Sequence, residues 1–381
     1  MYWLLHSLEV IILSLVLSKY FLLGIMSYAY KAKLFDLPDM RKKHSGGIPR
    51  LGGIAFIPAV FLAVTIVVGI DYFFEEQILW STLQEKGTEL LLYVPLAVVI
   101  LYVVGVLDDL RNLNHRWKLL AQILSAFLLV EAGLYADNFY GVLGVGKLES
   151  TPFLYFINIL LITFIINAVN LIDGIDGLAA SLVAMALAYY GYLFFQLNMY
   201  LYAFSILGLL ACVVPFFFFN VYGKLEAKRK IFMGDTGSLT LGLSLCIAIF
   251  KLLSITEMQP YASPDVWFVV VLSPLVLPCF DAARVFIVRM LNRRSPFHPD
   301  RSHIHHLLQD ASLSQRKVLL VLVMLSLTLT VLNVYLVEVL DINLLLLSNI
   351  VLWVILNGTL RHQILNKQNT LSKINTTQSD D

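Results

Sequence analysis

The sequence predicts an all-α, polytopic membrane protein, and three observations carry that prediction. Hydrophobic residues fill 59% of 381 positions and charged residues only 14%, with a mean hydropathy of +0.79. A soluble chain rarely reaches that balance. The apolar residues come in continuous runs long enough to cross a bilayer as helices, not in the short alternating segments of a membrane barrel. The basic residues between those runs are divided unevenly between alternate loops, as membrane topology requires. The net charge of +1 says nothing about partners.

We place about eleven spans, near residues 3–26, 51–70, 89–107, 117–135, 152–170, 178–196, 199–219, 237–255, 265–289, 317–340 and 342–360. The first lacks a basic leader and a small-residue cleavage site, so it reads as a retained helix. The ninth carries Pro274 and Pro278 and should be kinked or broken. Cys212, Cys246 and Cys279 sit singly in apolar runs, as small packing residues do, and imply no disulfide framework. Residues 1–362 form the integral membrane domain. Residues 363–381 form a polar tail, rich in Asn, Thr and Ser, which is expected to be disordered.

One set of loops holds Lys31, Lys33, Arg41, Lys42, Lys43, Arg50, Arg111, Arg116, Lys118, Lys224, Lys228, Arg229, Lys230, Arg293, Arg294, Arg301, Arg316 and Lys317. The alternate loops hold little beyond Lys86 and Lys147. The positive-inside rule makes the first set cytoplasmic, with the N-terminus outside and the C-terminus inside.

Every unusual polar cluster falls on that cytoplasmic side. The end of the fifth span reads Asn167-Ala-Val-Asn170-Leu-Ile-Asp173-Gly-Ile-Asp176-Gly. Residues three apart share a helix face, so two carboxamides and two carboxylates can form one stripe. Carboxylates there are costly unless they meet a cation, water or a polar substrate. Turn chemistry from the two Asp-Gly pairs is the competing reading, and it leaves the asparagines unexplained. Asp108-Asp109 ends the third span; either the pair is a plain helix end, or one acid serves as a base or metal partner beside Arg111 or Lys118. Phe232-Met-Gly-Asp235-Thr-Gly-Ser238 opens the eighth span. Asp235 could be a simple N-cap or a metal ligand whose flanking glycines admit phosphates. Four of eight histidines lie within residues 298–306, beside Arg301. That density suits zinc or, equally, a sugar diphosphate. The basic loop at 39–53 suits anionic lipid heads or a captured phosphate. Taken together, carboxylates and cations beside a membrane imply Mg²⁺ or Mn²⁺ and a phosphorylated, plausibly lipid-linked substrate; zinc would want softer ligands.

In this order, Val106-Leu-Asp-Asp109, the 167–179 stripe, Phe232-Met-Gly-Asp-Thr-Gly-Ser238 and Pro299-Asp-Arg-Ser-His-Ile-His-His306 resemble the polyprenyl-phosphate N-acetylhexosamine-1-phosphate transferase superfamily, glycosyltransferase 4. The resemblance covers residues 1 to about 362. Ile304 interrupts the run of three histidines found in the peptidoglycan-precursor branch, which favours UDP-GlcNAc over UDP-MurNAc-pentapeptide. Other UDP-HexNAc donors stay open.

The resemblance implies that undecaprenyl phosphate attacks the β-phosphorus of UDP-GlcNAc, giving undecaprenyl-diphospho-GlcNAc and UMP at the inner membrane. That product initiates a surface polysaccharide such as O-antigen or teichoic acid. It implies Mg²⁺ (or Mn²⁺) on Asp235, with Asp173 as a second contributor. The catalytic set becomes Asp108, Asp109, Asp173 and Asp176, with Asp108 deprotonating or orienting the lipid phosphate. Asn170 and Asp176 arrange the nucleotide or the groups around the metal. Asn220, in the substrate-binding set with Asn170, matches the family Asn before the metal Asp, although the basic loop 223–230 between them is longer than in the precursor branch. Lys43 and Lys118 contact phosphate, and Arg301, His303, His305 and His306 contact sugar and diphosphate. The partners are undecaprenyl phosphate, UDP-GlcNAc and the lipid bilayer, with no nucleic acid; a homodimer is compatible with all of this. The rival from another class is a divalent-cation or anion transporter, which should place its acids in mid-span.

Overall fold

A computed structural model describes residues 2–35, 47–73, 88–255, 263–293, 295 and 302–377. Its helices are α1 (Tyr2–Ala32), α2 (Phe56–Phe73), α3 (Thr88–Arg111), α4 (His115–Glu131), α5 (Thr151–Ile172), α6 (Leu178–Gln196), α7 (Tyr200–Tyr222), α8 (Gly234–Leu253), α9 (Pro264–Leu272), α10 (Val276–Leu291), α11 (Ile304–Asp310), α12 (Gln315–Leu336) and α13 (Ile342–Thr377). Among the described residues, ten helical stretches are long and apolar enough to cross a membrane, with α9 and α10 counted as one. The remaining expected span is α4, at 17 residues. It crosses the bundle all the same. Lys118 at its start meets Asp108 at the end of α3, and Ser125, lower down, donates to Ala97 O. The chain beyond its end reaches Asn158, near the start of α5, through Ala136 N. Hence α3, α4 and α5 run antiparallel in turn, and the polytopic α-helical architecture stands.

Two features differ from the expectation. A small antiparallel hairpin, β1 (Asn138–Val142) and β2 (Val145–Lys147), joins α4 to α5 at the end of the bundle away from the acids. Leu143 and Gly144 at its tip both have positive φ, the geometry of a tight hairpin turn. Asn343 holds that tip by accepting from Leu143 N and donating to Gly141 O. The second difference is α13, which continues to Thr377 through the segment expected as a disordered tail. No Pro or Gly interrupts residues 363–377.

The ninth span breaks as its prolines require. Ser273–Leu275 forms a short 3₁₀ turn between α9 and α10. Pro274 offers no N–H to Val270 O, four residues earlier. Tyr189 OH donates to that carbonyl instead, and Tyr190 OH donates to Val271 O at 2.9 Å. The break is thus satisfied from α6.

Helix α8 is the centre of the bundle. It packs against α3, α5 and α6 and is buried on nearly every face. A helix of Gly, Ser and Thr can sit there because its hydroxyls bond back along its own turns: Ser238 to Gly234 O, Thr240 to Thr236 O, and Ser244 to Thr240 O. Its small residues let neighbouring backbones come close.

Candidate functional site

The site forms around the first turn of α8. Gly234 has φ +76°, a left-handed conformation that lets the chain turn sharply into the helix. A Cβ there would lie 2.1 Å from Arg50 O and 2.5 Å from Asp109 Oδ2. Gly234→Ala therefore combines about 1–2 kcal/mol of backbone strain with a backbone collision. Loss of activity together with reduced recovery of monodisperse protein in detergent is the expected result.

Asp109 caps this turn from another helix. Its Oδ1 accepts from Asp235 N at 2.7 Å, and its Oδ2 accepts from Thr236 N at 3.0 Å and Thr236 Oγ1 at 2.6 Å. A carboxylate on the exposed N–H groups of a helix start is favourable twice, through hydrogen bonds and through the helix dipole. This contact anchors the first turn of α8 and the backbone of Asp235.

Asp108, the adjacent residue, has different partners. Lys118 Nζ donates to Asp108 Oδ2 at 3.2 Å and to Asp235 Oδ2 at 2.7 Å. Arg50 lies 4.0 Å from Asp235 Oδ1. Asp108 Oδ1 is buried and has no hydrogen-bond partner among the described residues. Oxygen atoms of Asp108, Asp109 and Asp235 all lie within 4.8 Å of one another. Three hard oxygen donors, one of them an orphan, fit a divalent cation such as Mg²⁺ or Mn²⁺ and do not match the softer sets preferred by zinc.

Asp173 stands outside that oxygen cluster, just beyond the end of α5. It is exposed to solvent, and the crowding of protein around its carboxylate and, next, the charge of Asp235 raise its pKa, against the opposing effect of Arg50. Asp173→Asn should lower turnover while leaving the thermal midpoint close to that of wild type, because an exposed carboxylate contributes little to folding. Near-normal turnover would remove Asp173 from the site.

The rest of the stripe builds walls. Asn170 donates to Ser238 Oγ at 2.7 Å, tying α5 to α8. Asn167 pairs with Gln122 of α4. Asn220 accepts from Gly177 N at 2.6 Å and donates to Ile231 O at 2.8 Å. Its carboxamide joins two loops and is engaged by backbone on both sides. Lys230 donates to Asp176 Oδ2 at 2.6 Å and also to Asn220 O.

The histidines close over this stripe. A Cβ on Gly174 would lie 2.1 Å from His305 Nε2, so only glycine lets the imidazole rest on the loop. His303 and His305 stack with rings 10° apart, and the His306 centroid lies 4.2 Å from that of His305. Lys43 and Arg301 lie outside the described residues.

Sequence reasoning missed the group that orients this cluster. Asp281 of α10 is 1% exposed. Its Oδ2 meets His303 Nδ1 at 2.8 Å, and its Oδ1 accepts from Ile304 N and from Arg284. Arg284 also donates to Ser302 O. An Asp-x-x-Arg pair inside an apolar span was the available signal, since ionisable residues there need partners. Arg50 and Lys230 were visible only as members of basic loops.

Comparison with known proteins agrees with this geometry. The profile of glycosyl transferase family 4 matches residues 91–253, which hold both α3 carboxylates, the stripe and Asp235. A Yersinia pestis protein named undecaprenyl-phosphate alpha-N-acetylglucosaminyl 1-phosphate transferase is 30% identical over 318 residues, 83% of this chain and 80% of its own length. A Bacillus subtilis protein named probable undecaprenyl-phosphate N-acetylglucosaminyl 1-phosphate transferase is 33% identical over 297 residues, 77% of this chain and 75% of its own. The Escherichia coli K12 protein with the same name as the Yersinia one is 30% identical over 302 residues, 78% of this chain and 75% of its own. Similarity on this scale extends well past the matched profile and into the histidine segment, and the chain belongs to glycosyl transferase family 4.

Proposed function

We propose that this multi-pass membrane protein transfers GlcNAc-1-phosphate from UDP-GlcNAc to undecaprenyl phosphate, at the cytoplasmic face of a bacterial inner membrane. The observation that carries the proposal is the convergence of Asp108, Asp109 and Asp235 with Lys118 at one end of the bundle. The relatives' printed names supply the substrates. A phosphate oxygen of the acceptor attacks the β-phosphorus, the bond from that phosphorus to the oxygen bridging it to the α-phosphate breaks, and UMP leaves with the bridging oxygen. Both reactants are anionic, so the protein must offset repulsion and align the two phosphates.

Lys118 and Arg50 bring positive charge to the acids. Asp108, through its free Oδ1, orients or deprotonates the acceptor phosphate. Asp108 and Asp235 would hold Mg²⁺ or Mn²⁺, which when bound neutralises the diphosphate. His303, His305 and His306, set over Gly174, face the sugar and diphosphate. Direct attack needs no acyl phosphate on an aspartate and is the simpler course. A transport path would need acids in mid-span, whereas these gather at the ends of α3 and α5 and the start of α8.

Purified protein in nanodiscs with undecaprenyl phosphate, labelled UDP-GlcNAc and Mg²⁺ should release UMP and form a lipid-linked sugar. Absence of both products with every UDP-HexNAc tested would overturn the reading.

A further inference from the structure

A cavity of about 400 Å³ lies between the last turns of α1 and the basic loop 223–233, outside the acidic site. One wall is the α1 face made by Leu23, Met26 and Tyr30, at helical spacing. The other wall carries Lys228 and Arg229, and Lys31 stands at the mouth. From Leu23 to Lys31 is eight residues, about 12 Å along a helix. The cavity is therefore apolar toward the bilayer interior and cationic at the helix end. Among the described residues, none of Lys31, Lys228 and Arg229 has a carboxylate within ion-pair distance.

We propose that this cavity binds the anionic headgroup of a membrane phospholipid. Three basic side chains above an apolar slot at the end of a spanning helix match a phosphodiester with its acyl chains below. The isoprenoid acceptor has similar chemistry but a different destination, because its phosphate must reach Asp108 and Asp235. The cavity's cations contact neither acid, whereas Lys118 and Arg50 do.

The loop has two sides. Lys228 and Arg229 line the cavity, and the next residue, Lys230, reaches Asp176 and Asn220 O on the site side. Tyr30 OH donates to Lys230 O, so the α1 wall holds the same residue. Lys228 sits at φ +53°, in a turn closed by Lys228 N to Leu225 O and Arg229 N to Lys224 O. A headgroup bound to Lys228 and Arg229 offsets their mutual repulsion and fixes the loop that places Lys230. The binding stands independently of the transferase reading; only its effect on turnover rests on that reading.

The test compares wild type, the triple variant Lys31→Gln/Lys228→Gln/Arg229→Gln, and Ala227→Glu, which adds a repelling charge at an exposed lining position. Native mass spectrometry in mixed phosphatidylglycerol and phosphatidylcholine reads the lipid retained. Wild type should prefer phosphatidylglycerol, and retention should fall in both variants, on the order of tenfold to a hundredfold for three basic residues. In phosphatidylcholine nanodiscs, wild type and variants should share turnover and acceptor KM, and added phosphatidylglycerol should raise turnover of wild type alone. Equal phosphatidylglycerol retention by wild type and both variants would overturn the proposal. So would displacement of the lipid by millimolar inorganic phosphate, which would make the cavity a free-phosphate site. A raised acceptor KM for the variants in phosphatidylcholine would assign the cavity to the isoprenoid phosphate and overturn it equally. The retention arm decides even if no transferase activity is found.

Discussion

Asp235→Asn should lower turnover by at least about a hundredfold to a thousandfold, the size of effect seen when one electrostatic contact to a reacting oxyanion is removed. The variant should stay folded. The amide nitrogen of Asp235, not its side chain, takes the cap from Asp109, so the first turn of α8 keeps its anchor. Lys118 retains Asp108 as a partner at 3.2 Å. The cost therefore falls on chemistry. Asp109→Asn should behave oppositely, with loss of thermal stability accompanying loss of rate. The check is turnover beside the thermal midpoint in one detergent. An Asp235→Asn protein with near-normal turnover would remove this carboxylate from the site.

Asp281 carries the second large effect. It is almost wholly buried, with Arg284 and His303 both on its carboxylate. Asp281→Ala strands a buried guanidinium, and breaking such pairs costs about 3–5 kcal/mol, so poor folded yield is expected. Asp281→Asn keeps the shape and is the informative variant. Losing the carboxylate that orients a working imidazole lowers activity about 10–100-fold. The loss should appear in KM for the nucleotide sugar more than for the lipid acceptor, because His303 loses the carboxylate that fixes its ring. Asp281→Glu should recover part of the rate. A parallel rise in both KM values, with no recovery in Asp281→Glu, would mean that Asp281 acts through folding alone.

Much of this arrangement was legible in the sequence for a physical reason. Apolar runs interrupted by acids carry a cost that only a ligand, a partner or water can offset, so Asp108, Asp173, Asp176 and Asp235 announce themselves. The break at Pro274 was equally plain, since a missing N–H has one local consequence. The division of labour among the acids was not legible. Asp108 and Asp109 are neighbours of identical type, and only the approach of α8 decides that one caps a helix while the other keeps a free oxygen. Nor does the sequence show that the carboxamide of Asn220 joins two loops, through Gly177 N and Ile231 O, because both partners lie in other segments of the chain. Asp281 lay within a span and was read as part of a broken helix, because its partners His303 and Ile304 lie beyond the next loop. The hairpin at 138–147 was missed because it is only a few residues long and its turn contains Leu143, a residue rarely suited to positive φ.

The central position of α8 also sets an order of assembly during synthesis. Every group that receives its first turn is already made when it leaves the ribosome: Gly52 and Gly53, which bond Phe232 O and Met233 O; Asp109 and Lys118; and Asn170. This helix thus enters the membrane beside a finished socket, and need not wait in lipid with its hydroxyls and the Asp235 charge uncovered. The histidine segment is translated later and closes over the loop at Gly174 from outside. A nascent chain arrested after α8 should already hold the acidic cluster in place.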